Sequence, residues 1–229
     1  MRHPVIAVDG PAGSGKSSVC RNVADRLGLR YLDTGAMYRA ITWAVLDAGI
    51  DPDDAAAVAQ FAAVPRIISG TDPLAPTIHV GGTDVAGPIR GDAVTAAVSA
   101  VSAVPAVREL LVALQRGQVD RAAAEGAGIV VEGRDITTVV LPEADLKVFI
   151  TADPSVRAQR RAAQDVDLGK DSVDVGRTEA DLVARDAKDS GRAASPLAQA
   201  DDAVVVDTTN LTLEEVVDLV CDLVDGLRA

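Results

Sequence analysis

The residues with the clearest chemistry are Gly10-Pro11-Ala12-Gly13-Ser14-Gly15-Lys16-Ser17, near the N-terminus. Two glycines bracket four residues, and lysine and serine follow, which is the phosphate-binding loop pattern. An apolar run, Val5-Ile6-Ala7-Val8, leads in, and a helical pattern leads out. A polyphosphate needs many backbone N–H groups aimed at one cluster of oxygens, and residues without a Cβ let the backbone come close. The helix that follows adds the positive end of its dipole and its unpaired first-turn N–H groups. Lys16 is then placed to bridge the β- and γ-phosphates, and the Ser17 hydroxyl to hold Mg²⁺. A glycine-rich turn without a ligand is the plainer alternative, but it accounts for neither the Lys-Ser pair nor both flanks. The stretch from Gly10 to Ser18 is therefore expected to bind a nucleoside triphosphate.

Three other places add charged groups. Leu29–Leu32 reads as a strand ending in Asp33-Thr34-Gly35, and Ile129–Val131 as another ending in Glu132-Gly133-Arg134-Asp135. In open α/β sheets ligands gather at the carboxyl ends of strands, so Arg39 and Arg134 are expected to hold a second anion. Arg185, Lys188, Asp189 and Arg192 fall at i, i+3, i+4 and i+7, one face of a helix. That face is either a solvated, salt-bridged surface or a set of cations closing over a migrating phosphoryl group. No Ser-His-Asp, Cys-His or paired-carboxylate arrangement suggests a strong general base. An acceptor that is itself a phosphate needs none, because the attacking oxygen is already anionic.

The elements that position these groups follow from periodicity. Val19, Val23 and Leu27 repeat every fourth residue and Gly28 supplies a C-cap, so Lys16–Leu27 is an amphipathic helix. Met37, Ile41, Ala44 and Val45 mark the next helix; Asp51-Pro52 is read as the N-cap and first position of another. Between residues 65 and 90, prolines and glycines separate the short runs Arg66–Ser69, Thr77–Val80 and Thr83–Val85, and Gly81-Gly82 signals a tight hairpin. Residues from Asp92 to about Ala124 read as helix broken at Pro105, Leu146–Ile150 as strand, and Asp153-Pro154 as a helix start. Ala203–Val206 is the last strand, and Thr212 with Glu215 forms a capping box. The polar stretch between, with few large apolar residues, suits a mobile lid.

The fold expected is α/β: a P-loop kinase with a central, mainly parallel five-stranded sheet flanked by helices. It forms a single domain, with core residues 1–64, 91–164 and 196–229. A small antiparallel insertion occupies about 65–90 and a helical lid about 165–195. Composition narrows the function. Lysine and arginine total 22 against 34 acidic residues, a net charge of −12, which disfavours nucleic acid as a partner. Aromatics make up 2 % of the chain, so the core must be built from Ala, Val, Leu and Ile. Cys20 and Cys221 have no metal spacing and read as buried small hydrophobes. No secretory segment is evident, and no stretch reaches the roughly 20 apolar residues of a membrane span. A cytosolic monomer acting on small molecules is expected.

Four motifs together resemble the bacterial cytidylate kinases. They are Ile6 to Ser17, Leu32 to Arg39, Glu132 to Asp135, and Arg192-Ala193-Ala194-Ser195-Pro196-Leu197, and the resemblance covers essentially the whole chain. Adenylate kinases share the loop but usually carry Asp-Gly-Phe-Pro-Arg where this chain has Glu132-Gly133-Arg134-Asp135. The resemblance implies Mg²⁺-dependent transfer of the ATP γ-phosphoryl group to CMP or dCMP. By motif, Ser99, Arg108 and Asp135 look like the cytosine readers, and Arg39, Arg134 and Arg192 like a clamp on the acceptor phosphate. Arg185 and Asp189 look like sugar contacts, and Arg157 and Arg161 like contacts on the ATP side. Lys16, Arg134, Arg185 and Arg192 are the expected catalytic cations. Thr34 belongs to the CMP site and stands where serine is common; Lys188 stands where arginine is frequent. Kinases of UMP, AMP or shikimate, and a nucleotide-binding switch, are the alternatives.

Overall fold

A computed structural model describes residues 3–167, 174–191 and 196–227. The first strand, β1 (Val5–Asp9), is central, because its apolar run has water on neither face. Alternate side chains leave a strand on opposite sides. Ile6 and Val8 accordingly pack with Val19 and Val23 of α1 (Lys16–Leu27) and Val220 of α8 (Leu213–Gly226). Ala7 enters the opposite layer, with Met37 and Ile41 of α2 (Thr34–Asp47) and Leu111 of α5 (Pro105–Ala124).

Five strands form the main sheet in the order β2-β6-β1-β7-β8, all parallel. The outer four are β2 (Arg30–Asp33), β6 (Ile129–Glu132), β7 (Leu146–Thr151) and β8 (Val204–Asp207). Ala7 lies opposite both Val131 and Lys147, so the carboxyl ends of β1, β6 and β7 share one edge, with β7 running two residues past β1. The motifs that follow β1, β2 and β6 leave the sheet at that edge. This is the five-stranded parallel sheet expected from sequence.

Residues 65–90 form a separate antiparallel sheet, β3 (Ile67–Ser69), β4 (Ile78–Val80) and β5 (Thr83–Asp84). Gly81 sits at φ +60° in the hairpin, a conformation that favours glycine. The third run stops short of Val85, which turns into the core. Pro105 starts α5 after α4 (Asp92–Ala103), where its missing N–H costs nothing. The capping box at Thr212 and Glu215 is present. Both cysteines are buried.

One helix start differs from expectation. Asp51 accepts from the Asp53 N–H at 2.9 Å, closing a turn within its own loop. The helix α3 (Ala55–Phe61) is capped instead by Asp54, which accepts from Ala56 at 3.1 Å and Ala57 at 3.0 Å. Asp54 satisfies two first-turn donors, so it wins the cap. In the polar stretch, α6 (Pro154–Asp167) extends past Asp165, and α7 (Val175–Ser190) follows.

Gln115 on α5 is fully buried, and among the described residues neither carboxamide atom has a hydrogen-bond partner. An unpaired buried amide costs about 1–3 kcal/mol. Gln115→Leu should therefore raise stability by about 1 kcal/mol, or about 2–4 °C in melting temperature for a chain of this size. Thermal unfolding measures this; a lower melting temperature would mean the amide is satisfied in solution.

Candidate active site

The phosphate-binding loop is drawn tightly against its surroundings. A Cβ on Gly10 would lie 2.0 Å from the Ile150 carbonyl oxygen, and one on Gly13 2.8 Å from that of Arg157. Gly10 and Pro11 line neither of the two cavities described below. Their carbonyls accept from the Lys16 ammonium at 2.7 and 2.8 Å. Lys16 thus folds back along the loop, and the Ser14 hydroxyl oxygen lies 3.5 Å away. Burial, then the nearby Arg134 guanidinium, lowers its pKa to about 8.

Asp9, the last residue of β1, joins this loop to the one after β6. Its carboxylate accepts from the Ile136 N–H at 2.9 Å, the Thr137 N–H at 2.7 Å and the Thr137 hydroxyl at 2.6 Å. Those donors open a short π-helical turn, Ile136–Val140, so the acid caps it. Burial pushes the Asp9 carboxyl above its usual range, and the Thr137 hydroxyl and the two backbone donors pull the other way. The Gly133 N–H donates to Val8 at 2.9 Å, and a Cβ there would lie 2.6 Å from the Thr34 hydroxyl. Arg134 then reaches back to the Gly10 carbonyl at 2.9 Å.

A cavity of about 220 Å³ opens in front of these elements. Thr34, Arg39, Ser99, Arg108, Arg134, Asp135, Arg185 and Asp189 all line it, beside Lys16 and Ser17. Sequence placed each of these eight in the acceptor site, and the fold brings them together. The Asp33 carboxylate caps α2 through the Ala36 N–H at 2.9 Å, which aims Thr34 and Arg39 inward. Thr34 donates to the Glu132 carbonyl at 2.7 Å, and Arg39 to the Ile89 carbonyl at 2.9 Å and the Thr95 hydroxyl at 3.0 Å. Burial and the cations Arg185, Arg161 and Arg90 lower the Arg39 pKa to about 10. Arg108 pairs with Asp135, and its guanidinium lies 5.4 Å from the Tyr38 ring centre. Asp189 pairs with Arg134 at 3.3 Å. Arg192 lies outside the described residues.

A second cavity, of about 500 Å³, runs along the other side of the loop. Gly13 to Ser18 line it with Arg160, Arg161, Leu211, Leu213 and Val216. The two cavities share Gly13, Lys16, Ser17, Arg161 and Gln164, so groups bound in each would meet there. Arg157 lines neither. It is buried, donates to the Ala152 and Ala12 carbonyls at 3.1 Å each, and pairs with Asp186. It braces the loop from behind, whereas Arg160, which the resemblance did not mark, lines the second cavity with Arg161. Arg160 donates to the Thr208 hydroxyl at 2.8 Å and carbonyl at 2.7 Å. The i, i+4 spacing of Arg157 and Arg161 hid it, because α6 turns its other arginine toward the cavity.

Sequence patterns did not single out the carboxylates at the meeting point. Glu132 is buried near Asp33 and Ser17 and accepts from the Tyr31 hydroxyl. Burial, then Asp33, raises its pKa to about 7. Its position at a strand end inside a motif was the available signal.

A parallel sheet with a phosphate-binding loop after its central strand, and a cation-lined pocket facing that loop, defines a P-loop kinase. The family model described as cytidylate kinase matches residues 6–226, and the chain belongs to the cytidylate kinase family. The cytidylate kinase of Streptomyces griseus is 57 % identical over 98 % of this chain and 94 % of its own length. That of Nocardia farcinica is 55 % identical over 93 % and 90 %. An uncharacterized protein from Eubacterium ventriosum has a similar fold, with a TM-score of 0.54 at 11 % identity over 97 % of this chain and 99 % of its own.

Because Glu132 titrates near 7 when folded and near 4.5 when exposed, the nucleotide-free folded chain holds one more proton between those values. Stability then falls as pH rises through that window. Glu132→Gln should flatten this slope in denaturant unfolding between pH 5 and pH 7; an unchanged slope would mean Glu132 is ionised throughout.

Proposed function

We propose that the chain transfers the γ-phosphoryl group of ATP to CMP or dCMP, giving ADP and CDP or dCDP. One observation carries this reading: the cation-lined cavity that meets the phosphate-binding loop also holds a buried arginine–carboxylate pair, Arg108 and Asp135. Cytosine offers an amine donor beside ring acceptors. Asp135 accepts from the amine and Arg108 donates to the acceptors, while Ser99 lies on the same wall. Uracil would turn a carbonyl toward the carboxylate and leave the oxygen that met the amine without that donor, at a cost of about 1–3 kcal/mol.

ATP lies along the second cavity, its phosphates on the Gly13–Ser18 amides. Lys16 exchanges its two carbonyl partners for phosphate oxygens. Arg39 and Arg134 hold the acceptor phosphate, with Arg192 from the lid, and Asp189 contacts the sugar. Arg161, shared by the cavities, and Arg185 stabilise charge on the migrating group. Transfer is in line, without a covalent intermediate, since the acceptor oxygen is already an anion. Ser17, Asp33 and Glu132 form a hard oxygen set at the meeting point, suited to Mg²⁺. Held there, the ion would offset negative charge on the transferring phosphates.

Among the described residues no single helix is long and apolar enough to cross a membrane. Together with the net charge of −12, this supports a cytoplasmic monomer with small-molecule substrates alone. Neither another small acceptor nor a nucleotide switch gains support from any comparison.

Lys16→Ala should lower kcat by about 10³-fold, the scale of losing a preorganised charge at the transferring group. Asp135→Ala should cut the preference for CMP over UMP by about tenfold or more, with the KM for ATP within about threefold. Coupled ADP-release kinetics measure both. Full turnover by the first variant would overturn the loop assignment, and unchanged base preference in the second would remove Asp135 from the base site.

A further inference from the structure

The lid helix α7 has little apolar anchorage. Its buried residues are Leu182 and Asp189, so polar contacts decide where it rests. Asp186 makes the most connected of these. Its Oδ1 accepts from the Ala12 N–H at 3.2 Å, its other oxygen pairs with the Arg157 guanidinium, and Arg134 lies 3.7 Å away. Arg157 in turn donates to the Ala12 carbonyl and to Ala152 at the end of β7. Ala12, Asp186 and Arg157 thus close a ring that joins the lid, the phosphate-binding loop and α6.

Asp186 lines neither cavity, whereas Arg185 and Asp189, one and three residues away, line the acceptor cavity. Successive helix positions point about 100° apart, so seating Asp186 on the loop fixes the direction of its neighbours. We propose that Asp186 is a positioning residue: its carboxylate latches α7 to Ala12 and Arg157, so one docking event sets the phosphate-binding loop and delivers Arg185 and Asp189 to the acceptor. This rests on the kinase reading above. Arg157 becomes the receiving half of the latch rather than a nucleotide contact. Removing the charge of a part-buried, hydrogen-bonded pair leaves the partner cation unpaired, which is why the neutral isostere is informative.

Two measurements test it. In ADP-release kinetics with Mg-ATP and CMP, Asp186→Asn should lower kcat by about tenfold or more, with the KM for ATP within about threefold. Asp186→Asn, Arg157→Lys and their double variant should be non-additive, since each breaks the same ring. Independently of turnover, energy transfer between dyes on Asp25→Cys and Ala180→Cys should show the lid farther from the core once Asp186→Asn is added. An unchanged distance distribution, or additive kinetic losses, would overturn the latch. Should the unaltered chain release no ADP with CMP while the distance still shifts, the kinase reading fails and the latch stands.

Discussion

Positive charge gathered out of water is the constraint on which the rest depends. In a chain of net charge −12, burial and then the cations Arg185, Arg161 and Arg90 lower the Arg39 pKa to about 10, and burial beside Arg134 lowers that of Lys16 to about 8. Such groups repel one another, and the cleft that holds them is stable only because other interactions fix their stems. Asp33 caps the helix that carries Arg39, and Asp9 caps the turn behind Arg134 and Asp135. Two substrates bearing phosphate supply the anions this cleft lacks.

The sheet supplies the common origin. β1, β6 and β2 are in parallel register, so Glu132 and Asp33 come out side by side and Asp9 follows one residue further along the same edge. The three acids then diverge in what they hold. Asp9 caps a turn inside the core, Asp33 caps α2, and Glu132 lies between Tyr31 and Ser17. Helix α7 rests over the same edge mainly through polar contacts, a weak form of attachment that fits the proposal that it opens to admit substrate.

Much of this was legible in the chain. The loop, the parallel strands, the insertion between 65 and 90 and the placing of Arg39 and Arg134 follow from glycine spacing, apolar runs and strand-end motifs, whereas Thr34, Ser99, Arg108, Asp135, Arg185 and Asp189 were marked by the family resemblance and share one cavity. What escaped has a shared reason: it depends on which side of an element faces which neighbour. The i, i+4 pair Arg157 and Arg161 reads as one helix face, yet Arg157 turns under the loop and Arg160 lines the cavity. Asp186 is one more acid in a charged stretch until α7 is laid against Ala12. Asp51 and Asp54 compete for one cap, and only the satisfied donors show which prevails.

The most direct measurement is ADP release with Mg-ATP and a panel of CMP, dCMP, UMP, AMP, GMP and shikimate. Release that depends on CMP and dCMP, with UMP weaker and the others near background, is the expected result. Preference for another acceptor would keep the P-loop kinase and contradict the reading of Arg108 and Asp135 as a cytosine site. Silence across the panel with ATP still bound would contradict phosphoryl transfer itself.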